Sequence, residues 1–223
     1  MNKKIFLGYI LLAMFFPFAS FAQNTESAQN QPSGKDYIIG LKYGKGISYT
    51  TGTIAGDGGQ KSLFGESESY AFQFFYNIIT SNHWLNFSLG KSEKELKTEA
   101  NYSTAGKKRN YIYAQFIDFS LGYTYIRKYG YIGLNAFYGL PAGSWFKKET
   151  LSSTVTETSV DSDRSGYELG ISVCSGFLLP VNDIFSIQLG AELDISFTPV
   201  YEYGKDKLKS NTLEFIAGFM YKL

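Results

Sequence analysis

One cysteine and one histidine stand among 223 residues, and each scarcity excludes something. A single cysteine, Cys174, rules out an internal disulfide framework. One histidine and one cysteine are too few ligands for a Cys/His zinc site, so no metal or other cofactor is expected. Charge of one sign is not in excess either, with 21 Lys and Arg against 20 Asp and Glu. No basic surplus points to nucleic acid. Long apolar runs are missing too. After the first two dozen residues, no stretch is long enough to cross a bilayer as a helix.

The front of the chain, MNKKIFLGYILLAMFFPFASFAQ, has a purpose of its own. Lys3 and Lys4 precede a short apolar run from Ile5 to Phe18, and Ser20-Phe21-Ala22 supplies a small-x-small pattern. The run is too short for a membrane anchor. The pattern predicts a secretory signal peptide over residues 1–22, cut between Ala22 and Gln23. No cysteine lies near the cut to carry a lipid. Loss of Lys3 and Lys4 leaves 19 basic residues against 20 acidic, nearly neutral. Residues 23–35, QNTESAQNQPSGK, are polar and predict a disordered periplasmic leader.

What is abundant is alternation. The stretch from Ile184 to Phe197, IFSIQLGAELDISF, is apolar at every second position from Phe185 to Phe197. Ser186, Gln188, Gly190, Glu192, Asp194 and Ser196 lie between. A period of two means a β-strand with unlike faces. Eight such segments fall near 36–50, 68–79, 84–92, 110–126, 130–142, 166–178, 184–198 and 211–223. Segment 84–92 is the weakest.

Three features decide which face meets the surroundings. Most segments reach the nine to eleven residues or so that a tilted membrane strand needs, beyond the five or six common in soluble sheets. The polar face is crowded with glycine, including Gly40, Gly44, Gly122, Gly170 and Gly218, whereas a solvent face would carry longer side chains. The cramped lumen of an eight-stranded barrel needs small residues. Connections also alternate, long near 51–67, 93–109, 143–165 and 199–210 and short near 80–83, 127–129 and 179–183. Short turns at one end and long loops at the other fit an outer-membrane barrel. The expected fold is therefore all-β, an eight-stranded antiparallel up-and-down transmembrane β-barrel over residues 36–223. Its apolar face meets lipid, with tyrosines such as Tyr37, Tyr70, Tyr125, Tyr138 and Tyr221 as interface girdles. The rival is a secreted lipocalin-like barrel with Ile187, Leu189 and Leu193 around an apolar ligand. Lys45 breaks the pattern. Either it points outward and snorkels, or Gly44-Lys45-Gly46 forms a bulge that turns it inward.

Signal peptide, leader, eight alternating segments and a last strand ending Phe219-Met-Tyr221-Lys-Leu223 resemble the small outer-membrane β-barrel proteins of the OmpX-like and PorT-like kind. The resemblance spans the mature chain and is one of architecture. It implies residence in the bacterial outer membrane and recognition of the C-terminal strand by the barrel-assembly machinery. Phe219 and Tyr221 match the usual terminal pattern, and Leu223 departs from its preferred aromatic end. It further implies a structural or surface-interacting role, or a secretion- or assembly-associated one of the PorT-like kind.

No catalytic residue is expected. Lipid-modifying barrels need a nucleophile and a base at the outer leaflet, and His83 falls in a short turn at the other end. Inward positions collect Asp118, Glu168, Gln188, Glu192, Asp194 and Glu214 with Lys42 and Lys222. They form either a hydrogen-bonded plug or a narrow path for protons or small cations. Cys174 reads as a small interior filler. In the loops, Lys107, Lys108 and Arg109 form a basic cluster that either approaches lipopolysaccharide phosphates at the surface or is simply solvated. The loop 143–165 alternates and could continue its strands as a hairpin, where strand addition offers a route to an extracellular ligand. A monomer in outer-membrane lipid is expected.

Overall fold

The computed structural model describes residues 36–53, 60–78, 82–102, 106–143, 145–151, 154–160, 166–203 and 206–223. The expected signal peptide with its Ala22–Gln23 junction and the leader to residue 35 lie outside the described residues. The described strands in chain order are β1 (Tyr37–Thr53), β2 (Gln60–Asn77), β3 (His83–Tyr102), β4 (Gly106–Arg127) and β5 (Gly130–Pro141). Then come β6 (Trp145–Leu151), β7 (Thr154–Val160), β8 (Glu168–Pro180), β9 (Phe185–Ser196), β10 (Tyr201–Tyr203) and β11 (Asp206–Lys222). All pairings are antiparallel. The ring runs β1-β2-β3-β4-β5-β8-β9-β11 and returns to β1. The closing ladder extends from Ile38 opposite Lys222 to Thr53 opposite Lys207. Eight strands therefore form the barrel and leave no open sheet edge within it.

The apolar alternation faces outward. Leu41, Phe72, Leu85, Leu121, Leu134 and Leu189 are exposed, and Phe215 is 72% exposed. Their polar or small neighbours point to the axis. Leu189 stands on the outer wall, and Ile187 and Leu193 share its parity on β9. The lipocalin-like alternative, which needed them inside, is overturned. Aromatic pairs mark both rims of the apolar band. Tyr37 stacks on Tyr76 and Phe185 on Phe219 toward the short turns. Tyr43 lies against Tyr70 and Tyr138 against Tyr167 toward the long hairpins.

Much of what the alternation leaves as loop is strand. β3 runs on to Tyr102 and pairs with β4 as far as Gly106. β2 begins at Gln60, and Tyr201–Tyr203 folds back on β11. The reason is a change of surroundings. Past the band, outward residues on β3 become Lys91, Glu93, Glu95 and Lys97, so the apolar signal fades while pairing and inward parity continue. β4 changes partner on the way. It leaves β5 at Phe116 opposite Pro141 and takes β6 from Tyr113 opposite Phe146. β6 and β7 form the hairpin expected within 143–165.

Lys45 points outward. The ladders on both sides of β1 pass Gly44, Lys45 and Gly46 without a shift. The irregularity lies on β2, between Leu63 and Ser67. There β1 side chains bond to β3 groups in place of β2. Ser48 Oγ donates to the Glu95 carbonyl, and Lys97 N donates to Thr50 Oγ1 at 2.9 Å.

Candidate functional site

The barrel interior has three layers, because inward-facing residues change character along the strands. Toward the short turns lies an apolar floor of Phe75, Trp84, Tyr131, Leu178, Ile216 and Met220, with Cys174 packed among them. Toward the long hairpins lies a second apolar cluster of Leu96, Ile112, Ala114, Phe116, Val200, Tyr201 and Leu208. Val200 and Tyr201 come from the segment before β11 and close over the upper lumen.

Between the two apolar layers sits a polar one. Lys42 Nζ on β1 reaches Glu192 Oε2 on β9 at 2.5 Å. Lys94 Nζ on β3 reaches Glu168 Oε2 on β8 at 2.7 Å, with side chains 3% and 0% exposed. Ser196 Oγ donates to the other oxygen of Glu168 at 2.6 Å. Ser69 donates to Glu214 at 2.5 Å and Thr212 to Asp194 at 2.9 Å. Asn86 bonds Thr124 at 2.5 Å, and Asn135 donates to Ser172 at 3.1 Å. These bonds tie together strands far apart in sequence, as buried ions require.

Glycines make room for this layer. A Cβ at Gly44 would collide with the Glu214 carboxylate and with Ser69 Oγ. One at Gly133 would lie 2.8 Å from Cys174 Sγ. What space remains is small. A chamber of about 50 Å³ lies among Lys42, Lys94, Asp118, Glu192, Asp194 and Glu214, and one of about 10 Å³ lies below it near Gln73 and Asn135. The first has room for water but for no larger solute, and the second is at the lower limit for one water.

The expected inward residues Lys42, Asp118, Glu168, Gln188, Glu192, Asp194 and Glu214 all meet in the lumen. Lys222 does not join them. It sits at the turn-side mouth and pairs with Asp36 at 3.3 Å. Lys94 is the principal residue that the alternation leaves out, since 93–109 reads as a loop. Its ammonium lies over the rings of Phe116 and Phe137, 5.7 and 5.5 Å from their centroids. The signal that finds it is parity. Ser88, Gly90, Ser92, Lys94 and Leu96 continue the inward series of β3. The two apolar layers escape notice for a related reason. Phe75, Trp84, Phe116 and Tyr131 sit at inward positions, where alternation predicts small or polar residues.

Elsewhere, His83 lies on the outer wall at the turn end, its Nδ1 2.5 Å from Tyr123 Oη. Arg109 Nε donates to Glu99 Oε2 at 2.9 Å on the extended β3–β4 hairpin. The side chains of Lys107 and Lys108 lie outside the described residues. No group of metal-binding side chains occurs among the described residues.

No protein-family model matches the chain, and no curated protein does. Solved structures resemble it at low identity. Neisserial surface protein A is 13% identical, covering 87% of this chain and 100% of its own, with a TM-score of 0.42. The attachment invasion locus protein Ail of Yersinia pestis is 12% identical, covering 84% and 99%, at 0.40. The outer membrane protease OmpT of Escherichia coli is 9% identical, covering 90% and 100%, at 0.43. These likenesses assign no function, and the barrel rests on its own closed strand register.

Proposed function

We propose that this chain is an integral outer-membrane β-barrel with a sealed lumen, acting as a structural or surface-interacting protein. The observation that carries it is a closed ring whose large apolar residues face outward between two aromatic rims. Exposed apolar surface of that extent and regularity needs lipid. The polar interior supports a plug over a conduit. Glu192 and Glu168 are paired with lysines, Asp194 and Glu214 accept hydroxyl hydrogen bonds, and an apolar cluster closes the lumen at each end. A dry apolar constriction resists ions by dewetting.

No enzyme is proposed. The lone histidine is at the turn end among tyrosines, away from the long hairpins where a lipid-modifying site is expected. The surface role falls to the hairpins that rise past the band, β3–β4 and β6–β7, where Lys107, Lys108 and Arg109 could approach lipopolysaccharide. A PorT-like secretion or assembly role uses the same surfaces, and no residue favours it.

The test is fractionation followed by gel migration before and after boiling. A band in the outer-membrane fraction that shifts on boiling is the expected outcome. A detergent-free soluble band without a shift would sink the membrane reading. Planar-bilayer recording of the refolded protein should give no steady conductance, and a stable open level would sink the sealed lumen.

A further inference from the structure

On the outer wall a groove of about 500 Å³ crosses β2, β1, β11 and β9. Its cause is one small side chain. The outward series on β11 runs Phe215, Ala217, Phe219, so a methyl group lies between two exposed phenyl rings. Leu41, Tyr43, Tyr70 and Phe72 on β1 and β2 build the remaining walls. The groove is open to the surroundings along the wall.

The groove's upper rim is polar and specific. Tyr43 and Tyr70 face each other with centroids 5.0 Å apart, and the Tyr70 hydroxyl donates to Glu68. Lys91, opposite Tyr70 in the ladder, is engaged by Glu93 at 2.8 Å. One step above Tyr43 stands Lys45, exposed and flanked in register by Phe215 and Glu68. It has no ion pair among the described residues. An outward lysine at the end of an apolar band is anomalous for the strand, but it suits an anion held at that height.

We propose that this groove binds a phosphate-bearing membrane lipid, one acyl chain lying along Ala217 and the phosphate meeting Lys45. The occupant follows from the two halves of the site. An apolar notch within the band is reached only by something in the hydrocarbon layer. Lys45 at its upper end has Glu68 opposite it in the ladder but no ion pair among the described residues, which leaves its ammonium able to take an anionic head group in preference to a neutral one. The inference rests on the membrane reading above and deepens it.

The experiment uses the protein refolded in a non-ionic detergent and titrated with phosphatidylglycerol, read by native mass spectrometry. Diacylglycerol with the same chains serves as the probe without phosphate. Wild type should retain one phosphatidylglycerol and less diacylglycerol. Ala217→Trp fills the notch and should lower the retained fraction roughly tenfold. Lys45→Gln should lower phosphatidylglycerol retention roughly fivefold and leave diacylglycerol unchanged. Ala136→Trp, on the outer wall of β5, should behave as wild type. Because these positions face outward, each variant should keep the boiling-dependent gel shift, which reports folding in the same samples. Equal retention in Ala217→Trp, or no phosphate preference in wild type, overturns the site while the barrel stands. Absence of the gel shift in wild type overturns the membrane reading instead.

Discussion

At the scale of single residues, Lys94 and Glu168 are the most consequential pair. Both are buried and both are charged. Removing one partner from such a pair strands the other, at a cost of about 3–5 kcal/mol. Lys94→Met should therefore lower the urea midpoint of refolded barrel strongly. Lys94→Met with Glu168→Leu should recover much of the loss, because no uncompensated charge remains. A double variant as unstable as the sum of the two single ones would show that the pair's worth is packing, not charge. Gly44 makes a sharper case of crowding. Gly44→Val would drive methyl groups into the Glu214 carboxylate and Ser69, against neighbouring strands that cannot retreat. The expected loss is about 1–3 kcal/mol, the usual cost of overpacking. It should appear as a lower temperature for the gel shift, and an unshifted temperature would mean that the lumen is looser than its hydrogen bonds indicate.

At the scale of elements, each long strand does two jobs in two solvents. The lower part of β4 shows Ile117, Phe119, Leu121 and Tyr123 outward, and its upper part shows Gln115 and Arg109. Backbone pairing is indifferent to this change, so β3 and β4 stay zipped from His83 opposite Tyr125 to Tyr102 opposite Gly106. The boundary between the two solvents can be measured. Leu121→Arg, within the band, should destabilise the barrel in lipid vesicles by about 2–4 kcal/mol. Gln115→Arg, past the band, should cost close to nothing. Equal costs at the two positions would place the membrane boundary elsewhere. The bulge on β2 belongs to this scale as well. It leaves Glu95 and Leu96 without register partners on β2, and Ser48 and Thr50 on β1 bond β3 at Glu95 and Lys97.

At the scale of the whole molecule, the interior is a sandwich of apolar, polar and apolar layers wrapped in one sheet. The polar layer joins β1 to β9 past the intervening β11, and β3 to β8 across the lumen. Glu192→Leu with Asp194→Leu removes the carboxylate of Lys42 and the acceptor of Thr212. Heat stability should fall, while bilayer recordings stay silent because both apolar layers remain. A large conductance with unchanged stability would turn the plug into a pathway. The three layers also explain why so little void remains. Aromatic side chains fill the ends of the barrel, and hydrogen-bonded ions fill the middle.

The sequence by itself determined the strands of the band, their two faces and the direction each face takes. A period of two survives in the order of residues without any knowledge of neighbours. IFSIQLGAELDISF already separates Leu189 from Gln188 and Glu192. Loop parity placed the short turns at one end for the same local reason. Tertiary structure alone decided the rest. Which lysine meets which carboxylate depends on strands closing a ring, so Lys94 finds Glu168 across 74 positions and Lys222 turns to Asp36 at the mouth. The reach of β3 past the membrane follows from pairing with β4, which polar outward residues conceal. The apolar layers form because Trp84 and Tyr131 at one end, and Phe116 and Tyr201 at the other, meet only inside the closed barrel. Alternation records which side of a strand a residue takes, and not what waits for it on the far wall.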